Sequence, residues 1–351
     1  MTGTPGIEPL HQTEADAATA LGPSWREIAT RAYRWMALGR ALDARMQGLQ
    51  RQGRVGFYGA ATGHEAVNVA AGLATLDDDW VFPGLREQLI ALVRGHPVLT
   101  YVHHLFGDAE DPARGRNMPC HPTAREVHYV SMSSVIGTQI SQAVGAAYAL
   151  RLRRSRGVAL AFFGDGATSS NDFHAGLNLA GVFELPVLFC LTNNQWAISL
   201  PVERQTRAAT LAAKASGYGF AGSRVDGTDF LETYAAISRA LSRVRQGRGP
   251  EMIEFLLYRM NPHSSSDDPG RYMSAAWIGR ARAHDPVDRL ERWLHEVGLL
   301  DPEAKRAIAE ESDAVVRTAI EEAEGTPPPP PASVTEDVYA SAVPTAPHEG
   351  G

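Results

Sequence analysis

Two short polar motifs, GDG at residues 164–166 and NN at residues 193–194, each follow an apolar run, with 26 residues between them. Asp165 supplies a carboxylate oxygen and Asn194 an amide oxygen, and the backbone carbonyl of Trp196 follows shortly after. Mg²⁺ prefers such hard oxygen ligands in octahedral geometry, and it usually takes further ligands from phosphate groups and water. The paired motifs therefore predict a site that holds a metal ion and a diphosphate.

The apolar runs predict the elements that position these motifs. Residues 158–163 and 186–191 are typical of strands buried on both faces, and Pro186 is acceptable at a first strand position. Residues 171–181 carry apolar side chains at helical spacing, and Gly181 is a natural stop for a helix. Both motifs then lie where strands of a parallel sheet end, which is where such sheets bind ligands.

Each motif alone has a simpler interpretation. Gly and Asp are common in tight turns, and Asn is common in loops that side-chain-to-backbone hydrogen bonds stabilise. The site interpretation adds that Gly164 and Gly166 let the backbone approach a phosphate, and that a helix opening after residues 168–169 directs amide groups at the anion. Because the motifs end adjacent strands, together they favour the metal–diphosphate site.

Longer segments around the motifs resemble a known family. GDG and NN at this spacing are similar to the thiamine diphosphate motif. The segments GDGATSSNDFHAGLNLAG, TNNQWAIS and YRMNPHSSSDDPGRY resemble the alpha subunit of the first component of 2-oxo acid dehydrogenases. Upstream, RQGRVGFYGAATGHEAV, VFPGLREQ, GRNMPCH and SSVIGTQISQAVGAAYA fall in the family's order, so the resemblance covers roughly residues 25–340. It implies an α/β fold with a doubly wound, mostly parallel sheet that binds thiamine diphosphate.

The resemblance also implies an activity and its partners. Such a subunit takes part in decarboxylating a 2-oxo acid and in reductively acylating the lipoyl group of an acyltransferase, with thiamine diphosphate as electron sink. The doublet Asp267-Asp268 favours a branched-chain substrate such as 3-methyl-2-oxobutanoate, with a pyruvate or acetoin dehydrogenase as the alternative. In this family a beta subunit supplies the glutamate that activates the cofactor. An alpha-two beta-two heterotetramer docked on a lipoyl acyltransferase core follows.

Site residues are carried over from the family's motifs position by position. The residues implied to bind the cofactor are Leu85, Arg86, Ser134, Ile136, Gly164, Asp165, Gly166, Ala167, Asn194 and His263. Those implied to hold magnesium are Asp165, Asn194 and the carbonyl of Trp196. A potassium site is implied at Ser133, Val135, Thr138 and Gln139.

His263 is the side chain to which the resemblance assigns proton handling or acyl transfer. The ordinary pKa of histidine lies near neutrality, and a neighbouring diphosphate favours its protonated form. Its segment, residues 262–270, has the composition of a loop over an active site, although an exposed histidine in a polar loop would look the same. Ser264 matches the family's regulatory phosphorylation position. The pair His103-His104 and His121 lack metal-ligand spacing and are interpreted as structural.

Three departures from the family pattern bear on cofactor binding. Ser170-Asn171 replace a frequent Glu-Gly, Thr192 replaces an arginine that branched-chain members place before NN, and Leu85 replaces a frequent tyrosine. Losing one charge-assisted hydrogen bond costs about 1.5–3 kcal/mol, which weakens binding without abolishing it. A non-catalytic homologue that assembles without cofactor is therefore one alternative. A nicotinamide dehydrogenase is another, but no third glycine follows at the fingerprint spacing.

Composition excludes other classes. The 351-residue chain has 33 basic and 40 acidic residues, a balance of −7 that gives no indication of a nucleic-acid surface. Two cysteines argue against a disulfide framework and are compatible with a reducing compartment. No apolar run reaches the ~18 residues of a membrane span, and no signal-peptide segment is evident, so we expect a soluble cytoplasmic protein.

The chain divides into three parts. Residues 1–23 are polar and Ala-rich and predict a flexible or extended arm, residues 24–325 form one cofactor-binding domain, and residues 326–351 are a Pro-rich tail. Within the domain, a helical period predicts a helix from Trp25 to about Gln50. Thr62 and Glu65 fit a capping box for the next helix.

Overall fold

A five-stranded parallel sheet forms the centre of the protein in the computed structural model, which describes residues 13–336. The strands, in chain order, are β1 (Trp80–Phe82), β2 (Ala159–Gly164), β3 (Val187–Asn193), β4 (Trp196–Ala197), β5 (Leu200–Pro201), β6 (Ala221–Asp226) and β7 (Glu251–Leu256). The large sheet has the order β1-β2-β3-β7-β6, and every pairing in it is parallel. β4 and β5 form a separate antiparallel hairpin.

Eleven helices are found within the described residues. They are α1 (Glu14–Leu21), α2 (Trp25–Arg51), α3 (Glu65–Ala74), α4 (Gln88–Val93), α5 (Val98–Phe106), α6 (Thr138–Leu152), α7 (Asn171–Val182), α8 (Phe230–Arg243), α9 (Ala275–Ala283), α10 (Pro286–Glu296) and α11 (Pro302–Gly325). The predicted strands, the predicted helix between the two motifs and the long first helix are therefore confirmed, with ends shifted by a residue or two.

Helices cover both faces of the sheet, which confirms the doubly wound architecture. Successive residues of a strand point to opposite faces, so β2 contributes Leu160 and Phe162 to one buried cluster and Ala161 and Phe163 to another. The first cluster also takes in α2, α3, α5, α8 and α11, and the second takes in α6 and α7. This two-sided burial holds the strand ends, and the residues that follow them, in fixed positions.

The N-terminal prediction was wrong where the structure describes it. Glu14–Leu21 form a helix, which Thr13 and Asp16 cap reciprocally and which buries Ala17 and Leu21. The segment is polar and rich in alanine overall, so its composition did not indicate a packed helix. Ala17 and Leu21 are nevertheless one helical turn apart and share the buried face. Residues 1–12 lie outside the described residues.

The predicted capping box of α3 was also wrong. The Thr62 hydroxyl donates to Asp43, and Glu65 accepts from the backbone N–H of Gly63 and from Arg40. Arg40 also pairs with both oxygens of Asp285. Thr62 and Glu65 therefore bond to side chains of α2 instead of capping α3, and these bonds hold the turn that precedes α3.

The Pro-rich tail packs against the body as far as it is described. The Pro327 carbonyl accepts from the Ala109 backbone, and the Ser333 carbonyl accepts from Arg116 at 2.7 Å. The composition of residues 327–331 predicts a stiff, extended spacer rather than packed structure, and the contacts of Pro327 and Ser333 show that this prediction is wrong. Residues 337–351 lie outside the described residues. Both cysteines, Cys120 and Cys190, are free thiols buried in the interior.

Candidate active site

The GDG and NN motifs lie side by side at the carboxyl edge of the sheet. Gly164 pairs in register with Thr192 in the neighbouring strand, so the residues that follow each strand meet at this edge. A cavity of about 510 Å³ opens there. Every residue predicted to bind the cofactor lines it, as do Trp196, Ser133 and Gln139.

Asp165 provides a buried carboxylate at the base of the cavity. Its Oδ2 accepts a hydrogen bond of 2.6 Å from the Gln205 side chain. Burial raises the pKa of Asp165 to about 6, and the Gln205 hydrogen bond opposes that rise. A desolvated carboxylate of this kind is stabilised by a nearby cation, so the residue fits the predicted metal site.

The two asparagines of NN have different surroundings. Asn193 points into the sheet, where its amide donates to Glu254 at 2.7 Å. Asn194 faces the cavity, and its Oδ1 accepts from the Trp196 backbone at 3.2 Å while Nδ2 lies 3.3 Å from His64 Nε2. The first asparagine therefore anchors the turn, and the amide of the second lines the cavity.

Gly166 is required by a close approach of the β4–β5 hairpin. A Cβ added at this position would lie 2.8 Å from the Cβ of Ala197, whereas one added at Gly164 would meet no atom nearer than 3.9 Å. Among residues 13–336 no cluster of three or more His, Cys, Asp or Glu side chains could hold a metal. An ion beside Asp165 could take amide, carbonyl, phosphate and water oxygens as its other ligands, which are the ligands that Mg²⁺ prefers.

Arg86 and His263 form the opposite wall. Arg86 donates to the carbonyls of Ala60 and His263, at 2.5 and 2.7 Å, and lies 3.3 Å from His263 Nδ1. An arginine can only donate, so Nδ1 accepts and the neutral ring carries its proton on Nε2. Burial, with Arg86 and Arg259, lowers the pKa of His263 to about 4. The neutral form is thus favoured before any diphosphate is present.

Asp267 holds the loop that carries His263. Its Oδ2 accepts from the His263 backbone at 2.7 Å and from the Tyr272 hydroxyl at 2.5 Å. Arg259, which is almost fully buried, donates to the same hydroxyl at 2.6 Å. The loop is therefore tied to β7 through charged and phenolic side chains.

The segment from Ser133 to Gln139 forms the mouth of the cavity. Ser134 Oγ lies 2.5 Å from His121 Nε2, and His121 Nδ1 lies 2.9 Å from the Pro119 carbonyl. Because a carbonyl only accepts, Nδ1 carries the proton and Nε2 accepts from Ser134. His121 lines the cavity and holds Ser134 there, so its structural role is exerted at the site itself. His103 and His104 do pair with Asp108 and Asp111 inside the fold.

The departures from the family pattern are accommodated locally. Thr192 Oγ1 donates to Glu87 Oε1 at 3.2 Å, and burial raises the pKa of Glu87 to about 7. Ser170 caps α7 by accepting from the Phe173 backbone at 3.2 Å. A hydroxyl therefore replaces the helix-capping role of a carboxylate, and Thr192 pairs with a buried acid.

Sequence reasoning missed several residues that lie in or beside the cavity. They are His64, Glu87, Gln205 and Arg259. Glu87 adjoins Arg86 in the segment VFPGLREQ, so its neighbourhood was a usable signal. His64 and Arg259 likewise lie in the segments RQGRVGFYGAATGHEAV and YRMNPHSSSDDPGRY. Gln205 lies in no such segment, and only the tertiary fold brings it to the strand end.

A parallel sheet with a cavity at its carboxyl edge, lined by apolar side chains and a few polar groups that converge on it, is typical of an α/β ligand-binding protein. A model of the family described as Dehydrogenase E1 component matches residues 33–332, and the chain belongs to that family, which depends on thiamine diphosphate. Within residues 13–336 no helix is both long and apolar enough to cross a bilayer.

Three relatives of the chain are 2-oxoisovalerate dehydrogenase alpha subunits. The chain is 38% identical over 310 residues to the 2-oxoisovalerate dehydrogenase subunit alpha of Bacillus subtilis, covering 88% of this chain and 94% of that protein. It is 37% identical over 315 residues to the mitochondrial human subunit, covering 90% and 71% of the two chains. For the mitochondrial Arabidopsis thaliana alpha 2 subunit the identity is 37% over 316 residues, 89% of this chain and 66% of the plant protein.

Proposed function

We propose that this chain is the alpha subunit of a thiamine diphosphate-dependent dehydrogenase that acts on a branched-chain 2-oxo acid of the 3-methyl-2-oxobutanoate type. The product acyl group passes to the lipoyl group of an acyltransferase. The observation that carries the proposal is the convergence of Asp165, Asn194, Arg86 and His263 on one cavity at the carboxyl edge of the sheet.

The polar residues that line the cavity suit a magnesium diphosphate. Asp165, the Asn194 amide oxygen and the Trp196 carbonyl would hold the ion, and Arg86 would meet the diphosphate, because a guanidinium matches phosphate geometry. Arg86 donates to the backbone carbonyl of His263, so a guanidinium that binds the diphosphate would also hold the loop of the proton-transfer residue. A potassium ion at Ser133, Val135, Thr138 and Gln139 remains part of the proposal, supported by the turn in which the Thr138 N–H donates to the Val135 carbonyl.

His263 is the residue that handles protons. When bound, thiamine diphosphate supplies the nucleophilic carbon and the electron sink for decarboxylation. The neutral ring of His263 carries its proton on Nε2, from which it can donate to a substrate oxygen. A diphosphate nearby raises the pKa of the ring from its depressed value, which brings it closer to the range in which a histidine both gives and takes a proton.

The apolar part of the lining favours an aliphatic substrate. Among the residues that line the cavity are the apolar side chains of Phe57, Leu85, Met118, Met132 and Ile198. Burying a methylene group contributes about 0.8 kcal/mol, so a branched side chain gains more here than the methyl group of pyruvate. Pyruvate or acetoin remains the alternative substrate, and the relatives' 2-oxoisovalerate names favour the branched-chain type.

The cavity mouth supports a beta-subunit partner. Ile136 and Ile198 line the cavity and are 65% and 55% exposed, and Val135, the chain neighbour of Ile136, is 67% exposed. Exposed aliphatic groups clustered at a site mark an interaction surface. The two carboxylates that line the cavity, Asp165 and Glu87, are both engaged at its base. The glutamate that activates the cofactor would therefore come from the partner, in an alpha-two beta-two assembly that docks on an acyltransferase core.

Coexpression with a 2-oxo acid dehydrogenase beta subunit from the same organism tests the proposal. The purified complex should reduce an artificial electron acceptor with 3-methyl-2-oxobutanoate in the presence of thiamine diphosphate and Mg²⁺, and less well with pyruvate. A preference for pyruvate would show that the proposed branched-chain substrate is wrong. A complex that assembles but neither binds thiamine diphosphate nor acts on any 2-oxo acid would support the non-catalytic alternative.

A further inference from the structure

Gln205 occupies an unusual position beside the candidate metal site. It follows the β4–β5 hairpin and a short helical turn, Val202–Arg204, and it crosses back to the GDG motif. Its Nε2 donates to Asp165 Oδ2 at 2.6 Å and to the Leu200 carbonyl at 3.0 Å. Both neighbours are acceptors only, so the amide nitrogen must face them and the orientation of the side chain is fixed by its partners.

The other end of the amide is unsatisfied. Gln205 Oε1 is buried, and within residues 13–336 it has no hydrogen-bond partner. A buried acceptor without a donor is unfavourable, because it has lost its hydrogen bonds to water and gained none in return. A donor that arrives with a ligand would remove that cost, and Mg²⁺ usually keeps several waters when a protein binds it.

The segment that carries Gln205 is itself fixed against the metal-binding turn. The Val202 N–H donates to the Gln195 carbonyl, and the Gln195 side chain donates to the Leu257 carbonyl, both at 3.0 Å. Gly166 has no room for a Cβ because Ala197 of the hairpin lies against it. The hairpin therefore holds Gln205 on the carboxylate without needing a ligand.

We propose that Gln205 is a positioning residue for the metal ion, with Nε2 holding Asp165 by one oxygen and Oε1 accepting a hydrogen bond from a water that the ion brings. This inference rests on the proposed function, because it needs the metal at Asp165. Residues that hydrogen-bond a metal-binding carboxylate orient it, and their loss typically costs 10–100-fold in metal affinity.

The test uses the full alpha chain in complex with its beta subunit and measures thiamine diphosphate binding as a function of Mg²⁺ concentration. Gln205→Ala removes the amide and its volume, whereas Gln205→Met keeps the length of the side chain and removes the hydrogen bonds. Gln246→Ala is the matched control, because that glutamine is exposed and bonds only near its own helix end. Quenching of tryptophan fluorescence, with Trp196 in the cavity lining, and calorimetry report binding independently of turnover.

Both Gln205 variants should need 10–100-fold more Mg²⁺ for half-saturation, and high Mg²⁺ should restore their cofactor binding. The melting temperature of the metal-free complex should not change in Gln205→Met. The proposal is overturned if Gln205→Met has the Mg²⁺ dependence of the wild type, or if its defect persists at every Mg²⁺ concentration. If the wild type binds no thiamine diphosphate at all, the proposed function fails, and this inference fails with it.

Discussion

The two walls of the cavity differ in what they bury. The deep wall, at the strand ends, places Asp165, Thr192 and Asn194 almost out of solvent, each with a hydrogen bond from or to its own chain. The mouth, at the Ser133–Gln139 segment and the hairpin, exposes Val135, Ile136 and Ile198. Burying a polar group raises the free energy of the folded state unless the group is hydrogen-bonded. Leaving an aliphatic group exposed forgoes the favourable free energy that its burial would contribute.

The difference indicates which parts of the site the chain completes alone. The deep wall is preorganised, because strands buried on both faces fix it and local hydrogen bonds orient its side chains. The mouth presents apolar surface with nothing of this chain's described residues over it. We therefore expect changes in the deep wall to affect ligand binding and changes in the mouth to affect assembly.

Replacing Asp165 should have the largest effect. In Asp165→Asn the metal loses its carboxylate, so thiamine diphosphate affinity in Mg²⁺ should fall by more than about 100-fold, since even outer partners of a metal ligand are worth 10–100-fold. Isothermal titration of the complex measures this. Asp172→Asn is the control, because that carboxylate accepts from Ser141 on the helix surface and does not line the cavity.

The same variant should not destabilise the metal-free chain. Because burial raises the pKa of Asp165 to about 6, its ionised form at pH 7 is less favourable in the folded state than in the unfolded state. Asparagine removes that penalty, so the melting temperature should stay unchanged or rise. A variant that binds cofactor like the wild type would show that the deep wall does not hold the metal.

Replacing His263 should give the second largest effect, on turnover and not on binding. His263→Asn removes the Nε2 proton donor, so kcat should fall by roughly 10²–10⁴-fold, the range for loss of a general acid or base. Cofactor affinity should change only a few-fold, because Arg86 and Asp165 remain. Steady-state assays and titrations on the same preparation separate the two quantities. Ser264→Ala should keep most of its turnover, and equal losses in both variants would argue for a disturbed loop instead.

The third largest effect should be on how the free energy of unfolding depends on pH, because His263 is partly buried. Its pKa is lowered from 6.5 to about 4 in the folded chain, so the unfolded state binds the proton first as the pH falls. The stability contributed by the neutral ring is present above pH 6.5 and is lost as the pH falls toward 4. Urea unfolding of the metal-free chain between pH 7 and 4.5 should therefore show a smaller loss for His263→Asn than for the wild type. If the free energy of unfolding fell equally with pH in the wild type and in His263→Asn, the ring would be exposed to solvent and not buried.

Changes in the mouth should be the smallest for the chain alone. Val135→Ser and Ile198→Ser alter exposed side chains, so the free energy of unfolding should change by less than about 0.5 kcal/mol. Their association with the beta subunit should weaken, as sedimentation at several concentrations would show. Leu76→Ser is the control, because Leu76 is 56% exposed before β1 at the opposite edge of the sheet. If all three variants bound the beta subunit with the same affinity, the mouth would not be part of the interface.

The sequence predicted the residues of the deep wall better than the residues that hydrogen-bond to them. Asp165 and Asn194 follow long apolar runs, and such runs are local signals that specify strands whatever the rest of the chain does. Gln205 reaches Asp165 across 40 residues of sequence, and no local pattern encodes that approach. The failed capping box has the same cause, since Thr62 and Glu65 bond to distant Asp43 and Arg40 instead of to their own helix. Local patterns thus predicted the elements, and tertiary contacts decided the partners.

The two cysteines make the chain suitable for site-specific labelling. Cys120 and Cys190 are both fully buried, and burial raises the pKa of Cys120 to about 12 and that of Cys190 well above its usual range. Thiolate is the reactive form, so maleimide and spin-label reagents should leave the folded native chain unmodified. A single cysteine introduced at Ile198 would then carry the whole signal, and a probe there could follow the approach of a lipoyl domain in real time.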